Sequence, residues 1–555
     1  MELTSNQIKA IESDDPRIVC IAGPGAGKTR VLIHRLERRI KAGGKPADIM
    51  VVTFTNAAAD EIRRRLANWG DGLHYCGTIH GYMLRLIQQY GALIGFKNRI
   101  ALLDEDQQQR LLSQVMADLK CKATLTAVKE QLAVGPAAFI GASGRSFSNL
   151  ELIAAEYFQR LITAGLLDFD SLLKFGLVLL KRLNKEKFSL PVKFLAWDEF
   201  QDSSADDAAI FHALRVENKF VVGDPDQSIY GFRGGSPRHL FDLTNNLDWR
   251  MIVLQENFRC DEQIAHAANR LIQRNQGRVT KSTVSATGEL GDIFTFSAAL
   301  PPAELRGIAE DINQQPDPSQ CAVLVRSNAL AAQFAKGLEG FGIEVCKKEK
   351  RDRPIDWRVA RSLINLFANP DNDLLTYWWI EQQRDTKFAN KIKLEALSKF
   401  TSINKHYLKL PDSMAPMAVP EALARSGIGA ESIALVNKAL ALLPPGSGLA
   451  ELSFALGDEE LHRKETGQGV SVITMHSAKG REWDVVYLPA FEEGIVPVGA
   501  KNVNIEEERR LVFVAFTRAR HRLVISYCRQ RSPVWGGGQP VATQLSRFAE
   551  EARGE

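Results

Sequence analysis

The stretch from Arg17 to Thr29 constrains this chain more than any other. Arg17-Ile18-Val19-Cys20-Ile21 runs directly into Ala22-Gly23-Pro24-Gly25-Ala26-Gly27-Lys28-Thr29. Five residues rich in β-branched side chains read as a buried strand. The glycines that follow permit a tight turn, and after Arg30 the apolar residues Val31, Leu32, Leu36 and Ile40 recur at helical spacing until Gly43-Gly44 stops them. Strand, glycine turn and helix in that order belong to an α/β sheet. Such a turn aims consecutive backbone N–H groups at an anion, and the helix N-terminus adds positive potential. Lys28 supplies a point charge for the outer phosphates of a nucleotide and Thr29 a hydroxyl for Mg2+. Ala22, Gly23, Pro24, Gly25, Ala26, Gly27, Lys28, Thr29 and Arg30 are therefore the expected cradle for ATP, with Mg2+ at its edge.

Further short apolar runs follow the same plan. Asp48–Val52, Phe194–Trp197, Phe220–Val222 and Met251–Leu254 read as strands, and nearly all end in polar or glycine residues. In open parallel sheets the ligand crevice lies outside the strand carboxyl ends, so these ends point to one shared site. A second set lies at 321–325, 470–473, 485–488 and 523–525. The fold class expected is α/β, with two RecA-like parallel-sheet cores that each carry a helical insertion. The first core takes residues 1–96 and 189–270, with a helical insertion at 97–188. The second takes 271–351 and 466–555, with a shortened insertion at 352–465.

Composition narrows the class without deciding it. The 555 residues are 45% apolar and 25% charged, which supplies more than one core and argues against disorder. A net charge of +4 leaves room for a local basic surface that binds nucleic acid. The seven cysteines show no C-x-x-C spacing, the N-terminus lacks a secretory design, and no apolar run reaches membrane length. A reducing cytoplasm, with no membrane partner, is the expected setting.

Asp198 and Glu199 sit directly after a strand. Asp198 suits a magnesium-holding carboxylate, and Glu199 suits the base that orients and deprotonates the attacking water. Transfer of a γ-phosphoryl group also needs positive charge from arginine, for which Arg259 and Arg518 are the candidates.

The order of the remaining motifs resembles the UvrD/Rep-type DNA helicases of superfamily 1, from the first ten residues to about 520. The matching segments are Leu3-Thr4-x-x-Gln7, Thr53–Ala58, Gly77-Thr78-Ile79-His80, Asp168-Phe169-Asp170 and Asp198–Asp202. Gly223–Tyr230, Thr474–Gly480 and Glu506–Leu511 complete the series. The resemblance implies that Gln7 bonds the adenine, Phe258 stacks on it and Glu482 touches the ribose. It implies that Gln227 senses the γ-phosphate while Arg259 and Arg518 grip it from opposite sides of a cleft. Lys28, Glu199, Gln227, Arg259 and Arg518 would then be the catalytic set. Cycles of closure would move the chain 3′ to 5′ along single-stranded DNA. Phe54, Thr55, Asn56, Thr78, His80, Tyr230, Phe232, Arg233 and His476 would contact the DNA, and Trp535 would tip a hairpin that splits duplex at a junction.

The chain departs from the family pattern at several positions. Ala57 stands where a lysine is common, Gly231-Phe232 replaces an Arg-Trp pair, Arg481 replaces an apolar residue and Phe258 replaces a tyrosine. With the short second insertion, these leave a second reading open: a single-strand translocase that unwinds weakly and works with a protein partner. A third reading is a P-loop ATPase that signals without moving. After residue 520 the acidic side chains are Glu550, Glu551 and Glu555, so no nuclease is expected.

Overall fold

The Arg17–Ala22 run is a strand, β1, buried from Ile18 onward. Around it a computed structural model describes residues 2–554, apart from 67–68, 70–71, 97–98, 140–146, 351–356, 371, 373–374, 376–377, 379–413, 427, 444–446, 458–462, 467–468, 500–502 and 533–540. Trp535 and its hairpin tip lie outside the described residues.

The first sheet contains β1, β2 (Ile49–Val52), β3 (Tyr75–Gly77), β4 (Phe194–Trp197), β5 (Asn218–Gly223) and β6 (Arg250–Leu254), in the order β3-β2-β4-β5-β1-β6. Every pairing is parallel, so all six carboxyl ends lie along one edge. Continuous burial of β1, β2 and β4 fits a sheet covered on both faces. The chain between β3 and β4 builds mainly helices, among them Glu105–Asp118, Asn149–Ala164 and Phe169–Lys185.

The second sheet contains β7 (Asp292–Ala298), β8 (Cys321–Val325), β9 (Val345–Lys350), β10 (Arg463–Thr466), β11 (Val470–Thr474), β12 (Trp483–Leu488) and β13 (Ala519–Cys528). Their order is β7-β13-β12-β8-β11-β9-β10. Only β10, at the edge, runs antiparallel. The architecture is therefore α/β with two parallel sheets. Sequence patterning had not singled out β3, β7 or β9. β3 is three residues long, β7 alternates exposed and half-buried positions at an edge, and β9 ends in Lys347-Lys348-Glu349-Lys350.

Two packing results concern the domain boundaries read from sequence. The Glu262–Ile272 helix was allotted to the first core, yet Ile264, Leu271 and Ile272 are buried with Phe513 and Phe548 of the second. The insertion of the second core does not stand apart either. Trp357, Ile364, Phe367, Val436 and Leu452 share one apolar cluster with Met83, Leu102, Phe158 and Leu180 of the first core and its insertion. Buried asparagines stitch that contact. Asn365 donates to the Leu102 carbonyl at 2.7 Å, and Asn369 donates to the Arg99 carbonyl at 2.6 Å. Among the described residues no helix is long and apolar enough to cross a membrane.

Candidate nucleotide and nucleic-acid site

The glycine turn leaves β1 and enters the Lys28–Lys41 helix. Gly27 caps that helix with φ +77°, and Gly25 has φ +66°, backbone conformations that favour glycine. A Cβ on Gly25 would lie 2.4 Å from Asn257 Oδ1 and 2.8 Å from Arg259 Cβ. The turn therefore has no room for a side chain on the side facing the segment after β6. That segment is tied in by the Phe258 N–H, which donates to the Gly25 carbonyl at 3.1 Å. Arg259 is thus pressed against the loop that carries Lys28 and Thr29, with Arg30 in the first turn of the helix. Lys28 Nζ donates to the Ala22 carbonyl at 3.3 Å.

Gln7 is nearly fully buried and uses both ends of its amide. Its Oε1 accepts from the Thr4 N–H at 3.0 Å, and its Nε2 donates to the Ala26 carbonyl at 3.0 Å. In this structure it couples the first helix to the phosphate loop.

Asp198 and Glu199 end β4, facing the same edge. Glu199 has φ +51°, an unfavourable backbone conformation for a residue with a side chain. Its N–H donates to Asp198 Oδ1 at 3.0 Å, and its carboxylate accepts from Gln201 Nε2 at 2.5 Å. Burial, then the adjacent Glu199 charge, push Asp198 up to about 7. Burial also acts upward on Glu199, but the charges of Lys28 and Lys479 outweigh it and hold Glu199 below the usual carboxylate range. The two neighbours are driven apart, one toward proton retention and one toward ionisation, a separation that marks acid–base sites.

Gln227 lies on the Asp224–Tyr230 loop after β5. Its Nε2 donates to Asp224 Oδ2 at 2.6 Å, and its carbonyl accepts from Lys479 Nζ at 2.9 Å. Lys479 also pairs with Asp202. Ile229 of this loop is buried in the apolar cluster of the second core.

Arg259 reaches the second core beside Arg518. Arg259 pairs with Glu482 and donates to the Thr517 carbonyl at 3.3 Å. Arg518 is 2% exposed and bonds the carbonyls of Val514 and Arg481 at 2.9 and 3.1 Å. Burial, then the Arg259 guanidinium, push it down to about 9. Glu482 is shared with Arg520 at 2.7 Å. Burial acts upward on Glu482, and Arg259 and Arg520 more than reverse it.

A row of aromatic rings crosses the same face. Phe54 stacks on Tyr230 at 5.1 Å and 13°, Tyr230 meets Phe232 edge-on at 6.0 Å, and Phe232 meets His476 edge-on at 5.7 Å. Phe232 is 67% exposed and Phe54 39%. Lys479 and Arg233 lie over the Tyr230 ring at 5.0 and 5.8 Å. Thr55 and Thr78 cap the Asn56–Arg65 and Ile79–Tyr90 helices, their hydroxyls accepting from Ala58 and Gly81 N–H at 3.1 and 3.3 Å. Asn56 opens the first of these helices. His80 lies apart from the row. It stacks on Phe169 at 4.3 Å, and Phe169 stacks on Phe454 of the second insertion at 5.7 Å. Neither Phe169 nor Phe454 had been read as a site residue. Phe169 stood in a quoted motif, whereas Phe454 has no local signal. Basic residues over exposed rings form the kind of surface that binds single strands.

Comparison with known proteins agrees with this architecture. Residues 3–248 match the UvrD/REP helicase N-terminal domain. Residues 252–353 and 358–530 match the UvrD-like helicase C-terminal domain. The chain is 28% identical to the ATP-dependent DNA helicase UvrD1 of Mycobacterium tuberculosis, over 99% of this chain and 85% of that protein. It is 24% identical to PcrA of Bacillus subtilis, over 98% and 85% of the two chains. It is 26% identical to Rep of Salmonella typhimurium, over 99% and 94%. With both family domains matched in sequence order across nearly the whole chain, the protein belongs to the UvrD/Rep helicase family.

Proposed function

We propose that this protein is an ATP-dependent DNA helicase that moves 3′ to 5′ along single-stranded DNA by hydrolysing ATP between its two cores. The observation that supports the reading is that Arg259 is pressed against the Gly25 turn of the phosphate loop and also reaches the Thr517 carbonyl, next to Arg518 in the second core. In this reading Lys28 and the loop N–H groups hold the phosphates, and the two arginines neutralise charge that develops on the γ-phosphate. Glu199 takes the proton of the attacking water, which its ionised state permits. Gln7 and Phe258 flank the adenine and Glu482 the ribose. Asp198 and Thr29 would hold Mg2+, which supplies charge neutralisation when bound. The burial of Asp198 beside the Glu199 charge, which raises it, fits a cation there. Phe54, Thr55, Asn56, Thr78, His80, Tyr230, Phe232, Arg233 and His476 would hold the strand, and Trp535 would meet the junction. ATP favours a closed cleft because groups on both sides bind it, and hydrolysis removes that preference.

A second reading is a single-strand translocase with weak unwinding of its own. The shortness of the second insertion, 352–465, favours it, and the described helices of that insertion pack into the apolar cluster of the first. ATPase rates with and without single-stranded DNA, for wild type and Lys28→Ala, test the motor. Forks with 3′ or 5′ tails test unwinding and polarity. Hydrolysis indifferent to DNA would defeat both readings.

A further inference from the structure

Besides the direct bond from Lys479, Gln227 is held through Asp224 by Lys281, a lysine outside the motifs named above. Asp224 is fully buried and spends its two carboxylate oxygens on different partners. Oδ2 accepts from Gln227 Nε2 at 2.6 Å, while Oδ1 pairs with Lys281 Nζ and accepts from the Asp226 N–H at 3.1 Å. Lys281 is itself buried and lies 3.3 Å from Asp226, which takes a two-pronged ion pair from Arg278 at 2.6 and 2.8 Å. The Asp224 N–H donates to Gln201 Oε1 at 2.9 Å, and Gln201 bonds Glu199. Asp224 therefore touches both side chains, Gln227 through its carboxylate and Gln201 through its backbone N–H.

The segment that carries Lys281 belongs mechanically to the second core. It follows the Glu262–Ile272 helix, which packs there. Asn275 donates to the Glu506 carbonyl at 3.0 Å and accepts from Arg509 at 2.5 Å. Asn269 brackets Thr283 through both of its main-chain groups, at 2.7 and 3.0 Å. Lys281 thus reaches from one core into the sensor loop of the other.

We propose that Lys281 is a positioning residue for hydrolysis, fixing Gln227 through Asp224 and so tying the γ-phosphate contact to the placement of the second core. A lysine of this kind adds no new chemistry. It sets the angle at which the Gln227 amide points, and it moves with the core that closes. The inference rests on the reading of Gln227 as the γ-phosphate sensor.

The test compares Lys281→Met, Lys281→Arg, Gln227→Ala and the Gln227→Ala/Lys281→Met double variant in DNA-stimulated ATP hydrolysis. Lys281→Met should lower kcat about 10- to 100-fold, as loss of an orienting partner does, with the KM for ATP changed less than about threefold. Lys281→Arg should recover most of the rate. The double variant should be no slower than the slower single, because both act through one amide. Losses that multiply in the double variant would overturn the proposal, as would a Lys281→Met kcat equal to wild type. A Gln227→Ala rate equal to wild type would instead sink the sensor reading itself. Should Lys281→Met fail to fold with Asp224 left unpaired, the charge-neutral Asp224→Asn/Lys281→Met variant replaces it. Wild-type kcat in that variant likewise counts against the idea.

Discussion

Arg259, pressed against the phosphate loop, and Glu482, at the entry to β12, form an ion pair that spans from one sheet to the other. In the proposed mechanism a γ-phosphate would compete with Glu482 for the same guanidinium. Both partners are partly solvent-exposed, which limits the pair to about 0.5–1 kcal/mol. A double-mutant cycle on Arg259→Ala and Glu482→Ala, read by denaturant unfolding, should return that coupling without nucleotide. Saturating non-hydrolysable ATP analogue with Mg2+ should reduce it toward zero. Coupling unchanged by the analogue would mean that Arg259 never leaves Glu482 for the phosphate.

Arg518 is buried and bonded to carbonyls at the end of the Ile505–Phe516 helix. Replacing it with lysine keeps a cation but loses the fork. The rate of ATP hydrolysis should fall about 10³-fold or more, in the range of arginine-finger losses, with DNA affinity little changed. A fall of less than tenfold in a folded variant would remove Arg518 from the catalytic set.

Phe232 and Phe54 are the exposed members of the aromatic row. Each truncation to alanine should cost about 1–3 kcal/mol of single-strand affinity, measured by fluorescence anisotropy with an oligo-dT strand. Tyr230 lies inside the row, against Phe54, Phe232 and Lys479, so Tyr230→Ala should also lower thermal stability. Unaltered affinity in Phe54→Ala and Phe232→Ala together would relocate the strand to another surface.

His476 carries a pH signature. Burial, then the Arg326 charge, push its imidazole down to about 4. Unfolded, the ring takes a proton near pH 6.5, so between about 6.5 and 4 the unfolded chain binds more protons than the folded one. Stability should therefore fall on acidification through that window, by on the order of 1–3 kcal/mol from this residue. His476→Gln should show a shallower loss between pH 7 and pH 5 in thermal melts. Parallel curves for the two proteins would contradict the assignment.

Asn369 donates to the Arg99 and Ala164 carbonyls at 2.6 and 3.1 Å from inside the contact between the insertions. Asn369→Leu strands the Arg99 carbonyl, while the Ala164 carbonyl keeps its bond from Asn372 Nδ2 at 2.6 Å. Unfolding free energy should drop by about 1–3 kcal/mol, with DNA-independent ATPase preserved. A neutral substitution would show that the insertions are held by apolar contact alone.

Much of the nucleotide site was legible because its signal is local. A strand, a glycine turn and a helix sit within the 13 residues from Arg17 to Thr29, and Asp198-Glu199 follows a strand directly. The ladder of Asp224, Lys281, Asp226 and Arg278 was not legible. Its basic members lie more than 50 residues beyond its acidic ones, and a lysine destined for burial looks like any surface lysine until its partner is placed. The same holds for Phe454, an ordinary amphipathic helix residue until packing brings it over Phe169. The destination of one helix was not legible for a related reason. The Glu262–Ile272 helix has a clear apolar face, but nothing in its spacing says which sheet receives that face.

Because the helices Trp357–Ala368, Val419–Arg425, Ala430–Leu442 and Leu449–Ala455 and the helices between β3 and β4 bury apolar side chains in one cluster, the described parts of the two excursions form one body supplied by two distant stretches of chain. Trimming either would bare the other's greasy flank to water. A minimal motor cannot be made from this protein by excising one excursion, and a graft onto a related chassis has to transplant both.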